Sequence, residues 1–301
     1  MQHVITLIAP ASEVASGILP GTLPARLRDA LAPLGATSGA PEWLAEGEAV
    51  DIPFDGLAPE QAEAAARLVL GGAPLDLVSQ PAEGRRKKLL IADMDSTIVT
   101  SETLDELAAY AGLKDRVAEI TRRSMNGEID FSTALRERVA MLKGLELSAL
   151  EATWAETRLM PGATELVRTM AAHGAHCALA SGGFTWFTGR VAELAGFTSH
   201  HANILEDDGT ALTGTVAEPI FDRDAKLATL KRLCAELGLP LADTVAVGDG
   251  ANDLAMLGAA GLGVAFHAKP VVAQSARVRV DHADLRALLF AQGYRAAEFR
   301  A

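Results

Sequence analysis

The chain has 301 residues, with 27 Lys and Arg against 39 Asp and Glu, a formal charge of −12. That balance excludes a protein whose task is to coat a nucleic-acid backbone, which needs a positive field. An anionic substrate must then meet a locally positive site, built from a metal or a few placed cations. With 49% hydrophobic and 22% charged residues, the chain is composed to fold around a core, and its length suggests two domains.

Only Cys177 and Cys234 occur, which excludes a disulfide scaffold and a Cys-rich zinc site and fits a reducing compartment. No Lys or Arg precedes Arg26, so no secretory leader is expected. The longest uncharged run, Thr169 to Gly189, has the length of a membrane span. It holds His173, His176 and the breakers Gly174, Ser181, Gly182, Gly183 and Gly189, and reads as helix end, strand and loop. The expectation is a soluble, cytoplasmic protein with neither a membrane nor a nucleic-acid partner.

Residues 1–80 form a unit of their own in the pattern. His3 to Ala9 alternates as a strand does, and Leu23 to Leu34 has helical apolar spacing. Trp43 to Phe54 reads as two short strands around Glu46-Gly47. Pro59 to Leu70 is an Ala-rich helix, and Pro74 to Ser79 a last strand. The order β-α-β-β-α-β is that of a small ferredoxin-like α+β module. It looks like the ACT-type regulatory modules that precede some amino-acid metabolic enzymes; a dimerisation or packing unit, joining two copies of the chain, is the alternative.

Gln80 to Lys88 reads as a polar linker ending in Arg85-Arg86-Lys87-Lys88, taken as a solvated lead into the next strand. From there to residue 301 the pattern alternates strand and helix. Leu89 to Ala92, His176 to Ala180, Thr244 to Val247 and Leu262 to Phe266 are continuous apolar strands. Helices such as Gly162 to His173 and Asp222 to Leu237 lie between them. This is the signature of a doubly wound α/β parallel sheet covered on both faces. Glu102 to Leu159 holds amphipathic helices and no convincing strand, which suits an inserted helical cap. Asn203 to Ala217, around Asp207-Asp208-Gly209, suits a β-hairpin.

In an open parallel sheet ligands bind beyond the carboxyl ends of the strands. Leu89–Ala92 leads into Asp93-Met94-Asp95-Ser96-Thr97, His176–Ala180 into Ser181-Gly182-Gly183, and Thr244–Val247 into Gly248-Asp249-Gly250-Ala251-Asn252-Asp253. Crowding Asp93, Asp95, Asp249 and Asp253 on one edge is unfavourable without a counter-ion. An all-oxygen set with no clustered His or Cys favours a hard cation, Mg²⁺. The glycines let backbone N–H groups approach an anion closely. The residues read as a Mg²⁺-assisted phosphate site.

Asp93-x-Asp95-x-Thr97, Ser181, Lys226 and Gly248-Asp249-Gly250-x-Asn252-Asp253 resemble the four-motif pattern of the haloacid dehalogenase superfamily over about residues 88–290. Ser181-Gly182-Gly183-Phe184-Thr185, Glu102 and Leu135-Arg136-Glu137-Arg138-Val139 are similar, more narrowly, to the phosphoserine phosphatase family. The resemblance implies hydrolysis of O-phosphoserine through an aspartyl-phosphate. Asp93 is then the nucleophile. Asp95 is the acid toward the leaving oxygen and the base toward water, with a raised pKa. Mg²⁺ is held by Asp93, the Asp95 backbone carbonyl and Asp249, with Asp253 orienting metal waters or Lys226. Ser181, the Gly182 N–H and Lys226 hold phosphoryl oxygens, and Asn252 adds an amide contact. Glu102 pairs with the substrate ammonium and Arg138 with its carboxylate. Met125 and Phe131 shield the site, or simply pack in the cap.

Three other readings stay open at this stage. One is a phosphatase for another small phosphomonoester. Another is a phosphotransferase using an alcohol in place of water. The third is a non-catalytic sensor of amino acid and phosphate. Cys177 and the tryptophans Trp154 and Trp186 read as core, and His173, His200, His201 and His267 lack metal-ligand spacing.

Overall fold

The computed structural model describes residues 1–125 and 128–301, Met125 by its backbone alone. The first sheet is built from β1 (His3–Ile8), β2 (Thr37–Ser38), β3 (Glu42–Ala45), β4 (Ala49–Asp55) and β5 (Asp76–Pro81). Helix α1 (Leu23–Leu31) follows β1, and α2 (Pro59–Leu70) follows β4. β4, β1 and β5 lie side by side, each antiparallel to its neighbour, and β3 pairs with β4. This is the ferredoxin-like arrangement that the alternation predicts. Pro59 opens α2 where its missing N–H costs nothing, and Gly71 closes it with φ of 59°. Period-2 alternation explains the two faces. Leu77 joins Leu27, Ala62 and Ala66 under the helices, whereas Val78 joins Leu288 and Phe290 of the second sheet's cover.

The second sheet is parallel throughout, in the order β13-β12-β11-β6-β7-β8. Its strands are β6 (Leu89–Ala92), β7 (His176–Phe184), β8 (Ser199–Asn203), β11 (Thr244–Gly248), β12 (Leu262–Phe266) and β13 (Val278–Val280). The four apolar strands read from the sequence are its centre. The edges β8 and β13 are additions: Ser199-His200-His201 is too polar, and Val278-Arg279-Val280 too short, to stand out. The chain runs from β6 outward through β7 to β8, then returns to β11 on the other side of β6. The crevice between β6 and β11 is therefore the switch point at which such sheets bind ligands. Cys177 is fully buried mid-strand, its thiol pushed up to about 12 by desolvation, an inert core position.

Between β6 and β7 come the cap helices α3 (Thr103–Tyr110), α4 (Lys114–Met125), α5 (Phe131–Ala140) and α6 (Ser148–Glu156), then α7 (Ala163–Ala172). Helix α8 (Thr185–Ala195) joins β7 to β8. The expected hairpin is β9 (Leu205–Asp207) with β10 (Leu212–Val216), antiparallel. Helices α9 (Arg223–Leu237), α10 (Leu254–Ala259), α11 (Pro270–Ser275) and α12 (Ala287–Ala291) complete the layers. Among the described residues, no helix is long and apolar enough to cross a membrane.

The expectation of a solvated basic lead into β6 holds for Arg86 and Lys88, which are exposed, and is corrected for Gln80 and Arg85. Gln80 is a buried member of β5, and its amide donates to Ala291 O at 2.6 Å. Arg85 pairs with Asp51 of β4, and its side chain is only 17% exposed. Arg86 pairs with Glu298 at 2.9 Å and lies over the Tyr294 ring, and Lys88 pairs with Asp243 at 2.8 Å. Arg85 is the member of the quartet that braces the two sheets. These partners are far away in sequence, so no local pattern could reveal them.

Candidate active site

Asp93 follows the last residue of β6, and its backbone N–H donates to Val247 O of β11 at 3.0 Å, setting it at the switch point. Its side chain is nearly buried. Oδ1 lies 2.8 Å from Lys226 Nζ and accepts the Met94 N–H at 2.7 Å. Lys226 is fully buried on α9, and its Nζ also reaches Asp253 Oδ1 at 2.7 Å. Burial opposes the ammonium charge, but Asp253 and Asp93 outweigh it and raise the Lys226 pKa, so the lysine stays a cation. Lys226 thus sits on two carboxylates and, with Asp253, does not line the cavity into which Asp93 opens. Burial and the nearby Asp93 raise the Asp253 carboxyl against the pull of Lys226.

Carboxylate oxygens of Asp93, Asp249 and Asp253 all lie within 4.8 Å of one another, in buried positions. Asp253 therefore belongs to the acidic cluster itself as well as to Lys226. Glycine makes this approach feasible: a Cβ at Gly248 would lie 2.4 Å from Asp253 Cγ. The Gly250 N–H donates to Asp253 Oδ2 at 3.1 Å. Burial raises the Asp249 carboxyl, Lys269 at 3.4 Å lowers it, and Asp93 raises it further. Three clustered carboxylates with no His or Cys fit a hard divalent cation.

Asp95 has different partners. Its Oδ1 accepts the Thr103 N–H at 3.1 Å and its Oδ2 the Thr103 hydroxyl at 3.3 Å. Burial, then Glu102 and Asp93, drive its carboxyl well above the ordinary range, which favours the protonated form. The turn that carries it is tight: Ser96 has φ of 55°, and its hydroxyl donates to Glu102 Oε1 at 2.8 Å.

A cavity of about 970 Å³ joins these groups to the cap. Asp93, Asp95 and Asp249 line it from the sheet edge, with Ser181 and Gly182 from the end of β7 and Asn252 from the turn after β11. Glu102, Phe131 and Arg138 line it from the cap. Ser181 is nearly buried, and its Oγ accepts the Gly183 N–H at 2.9 Å. A Cβ at Gly182 would meet Phe131 Cζ at 3.0 Å, so the phenyl ring packs directly against this end of β7. Arg138 donates to Ala134 O at 3.2 Å and Thr121 Oγ1 at 3.3 Å, which fixes its direction on α5. Burial lowers its pKa, and Asp105, Glu102 and Asp95 partly restore it. The side chain of Met125, expected as a second shield, lies outside the described residues.

Sequence reasoning missed Thr103 and Lys269. Lys269 lies just beyond the carboxyl end of β12, where following every apolar strand would have found it. Thr103 carried no such signal, since its role depends on how the start of α3 meets the Asp95 turn.

The haloacid dehalogenase-like hydrolase family matches residues 87–261. A phosphoserine phosphatase of Streptomyces coelicolor is 44% identical over 230 residues, covering 76% of this chain and 56% of that protein. One of Streptococcus thermophilus is 47% identical over 199 residues, covering 66% of this chain and 93% of that protein. The chain spans 53–58% of the length of the first curated relatives it matches. A haloacid dehalogenase family hydrolase from Salmonella enterica serovar Typhi superimposes with a TM-score of 0.82 at 28% identity. That match covers 96% of this chain and 98% of the other, so the likeness extends through the N-terminal sheet. With more than half of its length matched, and with the acidic cluster, Ser181 and Lys226 on one sheet edge, the chain belongs to the haloacid dehalogenase-like hydrolase family.

Proposed function

We propose that the protein hydrolyses O-phosphoserine to serine and phosphate, with Asp93 as nucleophile and Mg²⁺ as cofactor. The observation that carries this reading is the composition of one cavity. Two aspartates differ sharply in their surroundings, and a glutamate and a half-buried arginine of the cap line the same space. A phosphoamino acid needs this set: a nucleophile and an acid for the ester, and two opposite charges for the zwitterionic head.

Asp93 attacks phosphorus, and the bond to the seryl oxygen breaks. Asp95, kept protonated by burial and its acidic neighbours, gives its proton to that oxygen, and serine leaves. Asp95 then takes a proton from water, whose oxygen attacks the phosphorus of the aspartyl-phosphate. Phosphate leaves and the Asp93 carboxylate is restored. Thr103 keeps Asp95 oriented through both steps. Lys226 is ion-paired with Asp93, and with Ser181 and the Gly182 N–H it supports the phosphoryl group once Asp93 carries it. Glu102 takes the ammonium and Arg138 the carboxylate of the substrate. Asp93, Asp249 and the Asp95 carbonyl would hold the Mg²⁺, with Asp253 steadying Lys226. When bound, the metal offsets the repulsion between carboxylate and phosphate.

Phosphate release from phosphoserine, phosphothreonine, phosphoethanolamine and a plain alkyl phosphate, with and without Mg²⁺, tests the reading. Phosphoserine should be preferred and the metal required. Equal rates on the alkyl phosphate would overturn the substrate assignment. Light scattering of the same preparation reads whether the N-terminal sheet also joins two copies of the chain.

A further inference from the structure

A second cavity, of about 450 Å³, lies between the two sheets and shares no lining residue with the first. Its walls are the end of β5 and the brace that follows, the starts of β12 and β13, and α10. Helix α10 begins directly after Asp253.

The charges of the lining do not cancel within the cavity. Arg85, Lys87 and Arg277 line it, against Glu83 and Asp243. Asp243 is engaged by Lys88 at 2.8 Å, and Glu83 is exposed. Arg85 spends one end of its guanidinium on Asp51, yet its Nη1 is buried without a partner. Arg277 pairs, among the described residues, with the exposed Glu60 alone, at 3.7 Å. Lys87 Nζ donates to two neutral acceptors, Gly84 O at 2.9 Å and Ala242 O at 2.8 Å. Among the described residues no carboxylate comes within ion-pair distance of it, and burial lowers its pKa. The hydroxyl of the nearly buried Ser79, another lining residue, is also without a partner. Buried donors are rarely left unmade, and a half-buried cation on carbonyl oxygens alone wants an anion.

We propose that this cavity binds a small anion, a carboxylate or a phosphate, at the Lys87 ammonium. The ligand would supply the negative charge that the lining lacks and tie the N-terminal sheet to the parallel sheet.

Calorimetric titration of the full chain with malonate, and separately with inorganic phosphate, tests the proposal. Two variants address the cavity. Lys87→Gln removes the cation. Gly258→Leu adds a side chain at a lining position of α10 where a Cβ meets no atom within 4 Å. Ser181→Ala addresses the other cavity. The expected result is a binding event weakened about tenfold or more by Lys87→Gln and by Gly258→Leu, and unaltered by Ser181→Ala. An event of this kind with malonate alone identifies a carboxylate ligand, and with phosphate alone a phosphate ligand. The proposal is overturned if neither anion gives such an event in folded protein, judged by circular dichroism. The readout is heat of binding, so failure of the phosphatase reading would leave this test intact.

Discussion

Thr103 grips both oxygens of Asp95, its N–H on Oδ1 at 3.1 Å and its hydroxyl on Oδ2 at 3.3 Å. The first residue of α3 thereby sets the direction of the group assigned as acid and base. Thr103→Val removes the hydroxyl bond and keeps the backbone one. It should lower kcat about tenfold with little change in KM, since a hydrogen bond to an ionisable group is worth roughly 1.5–3 kcal/mol. Thr103→Ser should restore most of the loss. Steady-state kinetics with phosphoserine separate the two parameters, and an unchanged kcat in Thr103→Val would remove the positioning role.

Asp93→Asn should abolish turnover while keeping the fold, because a neutral amide of nearly the same shape cannot form the acyl-phosphate. Turnover within tenfold of the parent enzyme would place the nucleophile elsewhere. Circular dichroism guards against misfolding.

Arg138→Ala should raise KM for phosphoserine by about 10–150-fold, the loss of a charge-assisted contact of roughly 1.5–3 kcal/mol. The effect on phosphoethanolamine, which has no carboxylate, should be far smaller. Equal losses on both substrates would make Arg138 a structural member of α5.

Asp76 accepts three backbone N–H groups across the sheet boundary, from Asp281 at 2.7 Å, His282 at 3.1 Å and Ala283 at 2.7 Å. Asp76→Ala leaves those donors unpaired and should cost about 3 kcal/mol of stability. A chain beginning at Pro81 loses this anchor as well as the apolar cover that Ile8 and Val78 give to the α12 region. It should melt well below the full chain and yet keep kcat per folded molecule, because no residue before Asp93 lines the large cavity. A folded truncation with no turnover would refute that separation.

His201 of the edge strand β8 is partly buried, and desolvation, then Arg232, lower its pKa below the ordinary value. The unfolded chain therefore binds more protons near neutrality than the folded one. Stability from this group is fully present above about pH 6.5, the ordinary histidine value, and is lost as pH falls through it. His176 shifts in the same direction through burial. Melting temperature should fall from pH 7.5 to 5.5, and fall less in His201→Gln. Identical slopes would show that His201 does not contribute.

Continuity of apolar residues at Leu89–Ala92 and Thr244–Val247 determined by itself that buried parallel strands would stand there, because period and composition are local properties. The same locality made legible which loops carry the carboxylates, since a parallel sheet presents all its strand ends on one edge. Short or polar edge strands escaped, as β8 and β13 did, because their pairing is decided by neighbours rather than by their own residues. What only the tertiary structure decided is which charge meets which. Lys226 turned to Asp93 and Asp253, Thr103 to Asp95, and Arg85 to Asp51. These pairs join residues up to 133 positions apart, and the fold selects them through burial, which penalises any charge left without a partner.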